Sequence, residues 1–404
     1  MKQTLHKIIT YILVAELIVT QCAHGPFSSI TTHAATTSMA NVVIFVDFQD
    51  TDHSKHNGSS IGECFLENPQ TTMDLFNGSD TVNTGMAKYL DTISYGQFQQ
   101  INIFPQYDKQ TGTISTFTAA NNASAYKGTD SSALVSEMIA MLEKSGLLTE
   151  DADLNDDGLI DNLTLVAAYT ATDEDENDVF ISHKSYYGGE DTVGGLRVGN
   201  YNLVTESGGY LGLQESAVFI HEFLHTLGYP DLYKVGDTNN SGSPVGTWDI
   251  MSNANYRLQY PLAYLRSYYT GWFSIPTITE DVTGYSIYSA SAATDATKNN
   301  QAIILKTDYS DTEFFVVEYR HTDSIYMSTA YDNYIYGSGL IVYRVNTKQE
   351  KNMAGNTDHI YLFRPGDTYN SNGYEACEGD LTTSFLSLTS NFARTTHLPL
   401  AFLA

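Results

Sequence analysis

The stretch ESAVFIHEFLHTLGYPD, residues 215–231, decides the fold around it. Apolar side chains stand at nearly every position of its first part, so that they would surround a helix on all sides. This pattern predicts a buried helix over residues 215–227. Gly228 and Pro230 end that helix, because glycine tolerates a left-handed turn and proline cannot continue the hydrogen-bond ladder.

Three polar residues interrupt this apolar helix, and they form an HExxH pattern. His221 and His225 lie four residues apart on one helix face, with Cβ atoms roughly 5 to 6 Å apart, so both imidazoles can bind one tetrahedral zinc ion. Glu222 then stands beside the ion, where it can act as the general base towards a zinc-activated water. The pattern predicts zinc-dependent peptide hydrolysis; the alternative is a pair of ordinary core histidines.

A catalytic zinc site uses three protein ligands and keeps one position open. Asp231 is the candidate for the third ligand, because the Gly and Pro that end the helix allow the chain to fold back towards the metal. Carboxylate oxygen is an ordinary zinc ligand. The alternative is a turn residue, since Asp is common after a proline in turns.

A second candidate metal site lies in an acidic loop. Asp153, Asn155, Asp157 and Asp161 place oxygen donors as in the first nine residues of an EF-hand loop. The twelfth position is Thr164, which lacks the bidentate carboxylate, so a full EF-hand is not predicted. The loop is therefore interpreted as a calcium site with other ligands, or else as a solvated acidic turn.

The rest of the chain alternates helices and strands before residue 275 and is rich in short strands after it. This change of pattern predicts an α/β fold followed by a β-rich C-terminal domain. Expected strands lie at 41–48, 98–104, 163–169, 302–305, 314–319 and 339–345. Expected helices lie at 84–93 and 262–269, and a further helix is expected between a cap at Asp130 and a stop at Gly146.

The extended motif from His221 to Asp231 resembles the immune inhibitor A type of secreted bacterial metallopeptidase, the M6 peptidases. The likeness extends roughly from residue 41 to residue 365. It rests also on the segments Val43–Asp50, Tyr89–Phe98, Pro261–Trp272, Phe314–Arg320 and Gly337–Tyr343. The resemblance implies a zincin-like catalytic domain, zinc as cofactor, and a calcium motif at the acidic loop.

Further roles follow from the resemblance. The segment Gly246–Ser252 looks like the family's Met-turn, which would place Met251 beneath the histidines; filling the core is the alternative interpretation. The family carries a histidine in the region of His183. His183 and Tyr256 are the candidates for stabilising the oxyanion, and an ordinary surface or core histidine is the alternative for His183.

Charge excludes several classes of partner. Asp and Glu total 47 against 20 Lys and Arg, a net charge of -27, so the chain repels nucleic acid and anionic membrane surfaces. Lys2 and Lys7 precede an apolar run to Val19 that is typical of a secretory signal and too short to span a bilayer. We therefore expect a secreted, extracellular bacterial protein without stable membrane insertion after signal removal.

The predicted division is a signal and short leader at 1–35, a zincin-like catalytic domain at 36–275 and a β-rich domain at 276–404. Cleavage after Ala23 or after the Ala34–Ala35 pair fits the signal pattern. The region before residue 40 is shorter than the family's usual propeptide, and the tail from Ser384 to Ala404 departs from the family pattern.

Cysteine usage leaves two readings open. Cys64 and Cys377 stand far apart without metal-ligand spacing, so they form either one long-range disulfide or two buried thiols. Cys22 is interpreted as a discarded signal residue, with lipid attachment as the alternative.

The leading functional hypothesis is a zinc endopeptidase acting on extracellular proteins. A catalytically idle surface-binding or adhesion module is the alternative from another class, and the presence of Glu222 argues against it. Zinc-dependent hydrolysis of a non-peptide amide or ester would use the same water.

Overall fold

The computed structural model describes most of the chain after the predicted signal. The described residues are 37–51, 69–79, 84–126, 131–168, 181–205, 213–237, 242–254, 258–279, 282–308, 310–322, 331–369, 375–387 and 397–402. The predicted signal at 1–35, Cys64 and Tyr256 lie outside these ranges.

The first part of the fold is built on a sheet of six strands, in which β1 pairs with three others. Its ladders are parallel except at one edge, where β8 runs antiparallel to β11. The order is β2–β1–β7–β11–β8, with β5 pairing to the end of β1. Its strands are β1 (Thr37–Asp47), β2 (Phe98–Ile103), β5 (Phe117–Thr118), β7 (Leu163–Ala167), β8 (His183–Tyr186) and β11 (Asn200–Thr205).

Short strands decorate this sheet, and five helices accompany it in the described ranges. The short strands are β3 (Tyr107–Asp108), β4 (Thr113–Ile114), β6 (Leu159–Ile160), β9 (Thr192–Val193) and β10 (Leu196–Val198). The helices are α1 (Pro69–Asn77), α2 (Met86–Ser94), α3 (Ser132–Ser145), α4 (Leu213–Thr226) and α5 (Ala263–Tyr268). The helix predicted over 215–227 is α4.

Helices cover both faces of the main sheet, which explains why β1 is apolar along almost its whole length. One face packs with α3 in an apolar cluster that includes Val42, Ile44 and Leu134. The other face packs with α2 and α4 in a cluster that includes Val43 and Phe223. Helix α4 therefore lies in the interior, against β11 and the edge strand β8.

A second sheet dominates the C-terminal part. Its strands are β12 (Thr277–Ile278), β14 (Ala302–Lys306), β15 (Glu313–Arg320), β16 (Gly339–Asn346), β17 (Ile360–Leu362) and β18 (Phe385–Ser387). Strands β13 (Val282–Tyr288) and β19 (His397–Phe402) form an antiparallel pair. The strands predicted at 302–305, 314–319 and 339–345 correspond to β14, β15 and β16.

The two sheets share a core. The apolar cluster around α4 also contains Ala302, Val316 and Tyr343 from the second sheet. Packing is thus continuous across the predicted boundary at residue 275, and the division into domains stays a prediction. The mixed α/β character is confirmed.

Within the described ranges, no helix combines the length and the apolar composition that a bilayer span needs.

Candidate metal centre

Helix α4 is fixed to the main sheet by buried amide side chains. Asn202 on β11 donates from Nδ2 to the Glu222 carbonyl at 2.9 Å. The Thr226 hydroxyl donates to Oδ1 of Asn162, which precedes β7, at 3.2 Å. Because Asn162 also donates to Asn202 Oδ1 at 2.7 Å, helix and sheet are held by one polar network inside an otherwise apolar core.

Both histidines of α4 are oriented by backbone carbonyls. His221 Nδ1 lies 3.0 Å from the Ile250 carbonyl, and His225 Nδ1 lies 2.6 Å from the Tyr229 carbonyl. A carbonyl oxygen only accepts, so each Nδ1 carries the proton and each Nε2 of a neutral ring presents a lone pair. This arrangement is the usual way in which a metal-ligating histidine is fixed.

Asp231 brings a carboxylate to the same point. Its Oδ1 lies 3.2 Å from Nε2 of His221 and 3.2 Å from Nε2 of His225. That oxygen is buried and finds no hydrogen-bond donor among the described residues while the imidazoles are neutral. Three lone-pair acceptors therefore converge without a donor, an arrangement that a cation relieves, and two imidazoles with one carboxylate suit zinc.

No other cluster of this kind occurs in the described parts of the chain. His221, His225 and Asp231 are the group of three or more His, Cys, Asp or Glu side chains whose ligand atoms all lie within 4.8 Å of one another. The structure thus brings together the three residues that the sequence proposed as ligands. The metal that they would hold stays a proposal.

Electrostatics in the metal-free protein reflect this convergence. Burial lowers the pKa of His221, but its hydrogen bond to Asp231 and the charge of Glu222 outweigh burial and raise the pKa overall. Burial alone raises the pKa of Asp231, yet hydrogen bonds from His221 and His225 hold it well below its usual range.

Glu222 points into the same region and is 6% exposed. Burial raises its pKa, and the two imidazoles of α4 oppose that rise. A carboxylate with a raised pKa beside a metal position is suited to accept and return a proton.

The turn after Trp248 contacts the site through the Ile250 carbonyl. Asp249 Oδ1 accepts from the Met251 amide at 2.7 Å, and the Asp249 carbonyl accepts from the Ser252 amide at 3.0 Å. Met251 is fully buried in the same apolar cluster as Phe223 of α4. This burial agrees with both interpretations of Met251, a floor under the histidines and a filler of the core.

The remaining candidates lie near the edge strand. His183 begins β8, donates from Nδ1 to the Ile181 carbonyl at 2.8 Å, and is close enough for its charge to lower the pKa of Glu222. Its role as an oxyanion donor stays a prediction. Tyr256, the other candidate, lies outside the described residues.

Sequence reasoning missed Tyr233. Its phenol hydrogen bonds with Asp231, and burial together with the charges of Asp231 and Glu222 raises its pKa. The sequence holds 29 tyrosines, so nothing in the local pattern marks this one. The same holds for the carbonyls of Tyr229 and Ile250, which backbone geometry alone brings to the histidines.

In the acidic loop at 153–161, unlike at the histidines, the carboxylates accept hydrogen bonds from backbone amides. Asp153 accepts from the amides of Asp157 at 3.0 Å and Gly158 at 2.8 Å. Asp157 accepts from the Leu159 amide at 2.9 Å. Asp161 Oδ2 accepts from the amide of Ala40 on β1 at 2.8 Å, which ties the loop to the main sheet.

One atom in this loop keeps a lone pair free. Oδ1 of Asp161 is buried and has no hydrogen-bond partner in the described structure. Burial raises the pKa of Asp161, while its backbone hydrogen bonds oppose that rise. Asp153, Asp157 and Asp161 do not form a cluster of the tightness found at His221, His225 and Asp231.

Cys377 is buried, and its Sγ lies 3.7 Å from Oδ2 of Asp358. Its possible partner, Cys64, lies outside the described residues, so the choice between a disulfide and two thiols stays open.

Comparison with known proteins supports the interpretation of this region. Residues 148–261 match the family model of the immune inhibitor A peptidase M6 catalytic domain. The matched stretch contains both the acidic loop and helix α4 with Asp231. The resemblance to this family is thereby confirmed, and the match supports a metallopeptidase. No curated protein matches the chain.

Solved structures of OgpA from Akkermansia muciniphila are similar at a distance. The wild-type structure is 12% identical, covers 84% of this chain and 91% of its own, and has a TM-score of 0.33. The structure of catalytic inactive OgpA in complex with an O-glycopeptide (glycodrosocin) substrate is 10% identical, with the same coverage and a TM-score of 0.33. At this level of similarity, no property of OgpA is transferred to this chain.

Proposed function

We propose that this chain is a secreted zinc metalloendopeptidase of zincin-like architecture that hydrolyses peptide bonds of extracellular proteins. His221, His225 and Asp231 are the proposed zinc ligands, and Glu222 is the proposed general base. The single observation that carries the proposal is the convergence of two imidazole Nε2 atoms on one buried carboxylate oxygen, at 3.2 Å each, without a donor between them.

The proposed ligands leave room for chemistry. His221, His225 and Asp231 would supply three of the four ligands usual for zinc, which would leave one position for water or substrate. When bound, zinc lowers the pKa of a coordinated water towards ~7 and polarises a carbonyl. The chain's own contribution is to hold the donors rigidly, which the Ile250 and Tyr229 carbonyls do for the two rings.

Glu222 performs the proton transfers in this proposal. Its carboxylate takes a proton from the attacking water and passes that proton to the leaving amine nitrogen, so no covalent link to the protein is needed. The burial of Glu222 favours this exchange, because a raised pKa brings the carboxylate closer to the pKa of the groups with which it trades the proton.

The acidic loop is proposed as a structural calcium site. Oxygen donors at Asp153, Asn155, Asp157 and Asp161 and the unpartnered Oδ1 of Asp161 support this proposal. Calcium here would link the loop to β1 through Asp161 and take no part in hydrolysis.

Digestion of a denatured protein substrate tests the proposed activity. Purified protein should cleave denatured casein or gelatin, lose that activity with a zinc chelator, and regain it when zinc is restored. Calcium added to the chelated protein without zinc is the matched control and should restore nothing.

Two results would count against the proposal. Cleavage that persists after zinc has been removed completely would exclude zinc chemistry. Stoichiometric zinc without cleavage of any denatured protein would favour the idle binding module or a non-peptide substrate.

A further inference from the structure

The turn formed by residues 249–252 touches two of the three proposed zinc ligands. Its Ile250 carbonyl accepts from Nδ1 of His221 at 3.0 Å. Its next carbonyl, that of Met251, accepts at 2.9 Å from the amide of Leu232, the residue directly after Asp231. Consecutive carbonyls of one turn therefore set the separation between a ligand on helix α4 and a ligand on the loop that follows it.

The carboxylate of Asp249 holds this turn from inside. Asp249 is fully buried, and its two oxygens serve different elements. Oδ1 accepts a hydrogen bond of 2.7 Å from the Met251 amide, so it bridges over Ile250. Oδ2 accepts a hydrogen bond of 2.7 Å from the amide of Leu262, the residue before α5. A buried acceptor with two backbone donors fixes the peptide between them, because losing either bond leaves a buried N–H unpaired.

The second sheet anchors the same turn. Arg320 at the end of β15 is fully buried. Its Nη1 donates a hydrogen bond of 2.9 Å to the carbonyl of Trp248, the residue directly before Asp249. Its Nε donates to Oδ2 of Asp332 at 2.9 Å. The turn is thus clamped between α5 and a charged pair of the C-terminal part, formed by Arg320 at the end of β15 and Asp332 in the turn before β16.

The two histidines differ in how they depend on this clamp. His225 is held by the Tyr229 carbonyl, four residues along its own chain, where the helix ends. Nδ1 of His221 is held by a carbonyl 29 residues away, inside the turn that Asp249 organises. A disturbed turn should therefore release His221 and the loop of Asp231 while leaving His225 in place.

From this geometry we infer that Asp249 is a positioning residue of the metal centre, acting through the Ile250 carbonyl on His221 and through the Met251 carbonyl on the Asp231 loop. The inference rests on the proposed zinc site. Partners that orient metal ligands typically change metal affinity by 10 to 100-fold when they are lost.

Asp249→Asn tests the inference, because an amide keeps one acceptor oxygen and faces one of the two backbone donors with an N–H group. Glu375→Gln is the control. Glu375 is also a buried carboxylate, paired with Arg344 of β16 at 2.9 Å, and this pair lies outside the clamp formed by Asp249, Arg320 and Asp332.

Zinc affinity is measured by chelator competition, and the cobalt(II)-substituted proteins are compared by visible spectrum. Asp249→Asn should raise the zinc Kd about 10 to 100-fold and alter the cobalt spectrum, whereas Glu375→Gln should keep the wild-type Kd and spectrum even if it melts earlier. A wild-type Kd and spectrum in Asp249→Asn, with zinc bound normally by the wild type, would overturn the positioning role alone. A wild-type protein that binds no zinc would overturn the proposed function as well.

Hydrogen exchange on the unaltered protein covers the case in which Asp249→Asn does not fold. Saturating zinc should slow amide exchange in residues 249–252 and at Leu232 more than in α3, which packs on the opposite face of the main sheet. Equal slowing in both regions would contradict the inference.

Discussion

Two regions of this molecule were read from the sequence as metal sites, and their donors are arranged differently. At α4 and Asp231, the acceptor atoms of three side chains converge and have no donor between them. In the loop at 153–161, carboxylate oxygens already accept hydrogen bonds from backbone amides. One oxygen of Asp161 has no hydrogen-bond partner among the described residues.

The difference teaches what a cation would contribute in each place. The convergent acceptors of the first site repel one another unless a proton or a cation lies between them, so the metal would be part of the local electrostatic balance. The loop is folded by its own Asx-type hydrogen bonds, and an ion there would add stability to a turn that the chain can form alone. The first site should therefore govern activity, and the second should govern stability.

Glu222→Gln should produce the largest effect. The amide cannot accept the proton from water, so turnover on denatured casein should fall by ~10² to 10⁴-fold. Zinc content should stay at the wild-type level, because Glu222 is not a proposed ligand. Near-normal turnover in a zinc-loaded Glu222→Gln protein would refute the assigned base.

The second-largest effect should be a difference in the pH at which the two sites lose their metal ions. Zinc binds the neutral imidazole, and the pKa of His221 is raised in the metal-free protein, so protons displace zinc as the pH falls through a value above that of an ordinary histidine. Calcium binds carboxylates, and burial raises the pKa of Asp161, so calcium is displaced only at lower pH, somewhat above the ordinary range of aspartate.

Metal affinity measured across a pH series checks this order. The Kd for zinc should begin to rise at a higher pH than the Kd for calcium. The reverse order would mean that imidazoles do not dominate the first site or that carboxylates do not dominate the second.

Calcium should give the smallest effect, confined to stability. An ion that binds only the folded state stabilises it by about 2.7 kcal/mol at a free concentration of about 100 times Kd. Melting temperature with and without calcium measures this gain in the zinc-loaded protein. Asp161→Asn should abolish the gain, since it places an amide group at the unpartnered Oδ1 or at the oxygen that binds Ala40 and Leu154.

Asp151→Asn serves as the matched control for calcium. Asp151 is an exposed neighbour in the same acidic stretch, and its Oδ1 accepts from the Asp153 amide at 3.2 Å. The calcium gain should survive in this variant. A melting temperature that calcium leaves unchanged in the wild type would remove the calcium proposal and leave the zinc proposal intact.

The sequence predicted a large share of the elements because local pattern determines them. The continuous apolar run of β1 and the all-round apolar helix α4 have one reasonable explanation each, burial on both faces of a sheet and burial in the core. The spacing of His221 and His225 likewise follows from helix geometry. Asp231 followed from the helix stop, which lets the chain turn back.

The residues that hold the turn beside His221 could not be predicted from the sequence, for a physical reason. Asp249 lies 28 residues from His221 and acts through a backbone carbonyl, which carries no sequence signal. Arg320 reaches the same turn from a strand of the second sheet. Contacts of this kind depend on how α5 and the two sheets pack, and one sequence does not specify that packing by pattern.

Zinc stoichiometry of Asp231→Ala, measured beside the wild type and Glu222→Gln, tests the central claim most directly. Removing one of three donors leaves two imidazoles, so Asp231→Ala should purify zinc-poor, with affinity lowered by more than the ~10 to 100-fold that outer partners cost. The wild type and Glu222→Gln should each hold one zinc ion per chain. Stoichiometric zinc of wild-type affinity in Asp231→Ala would contradict the claim that these three side chains form the metal centre.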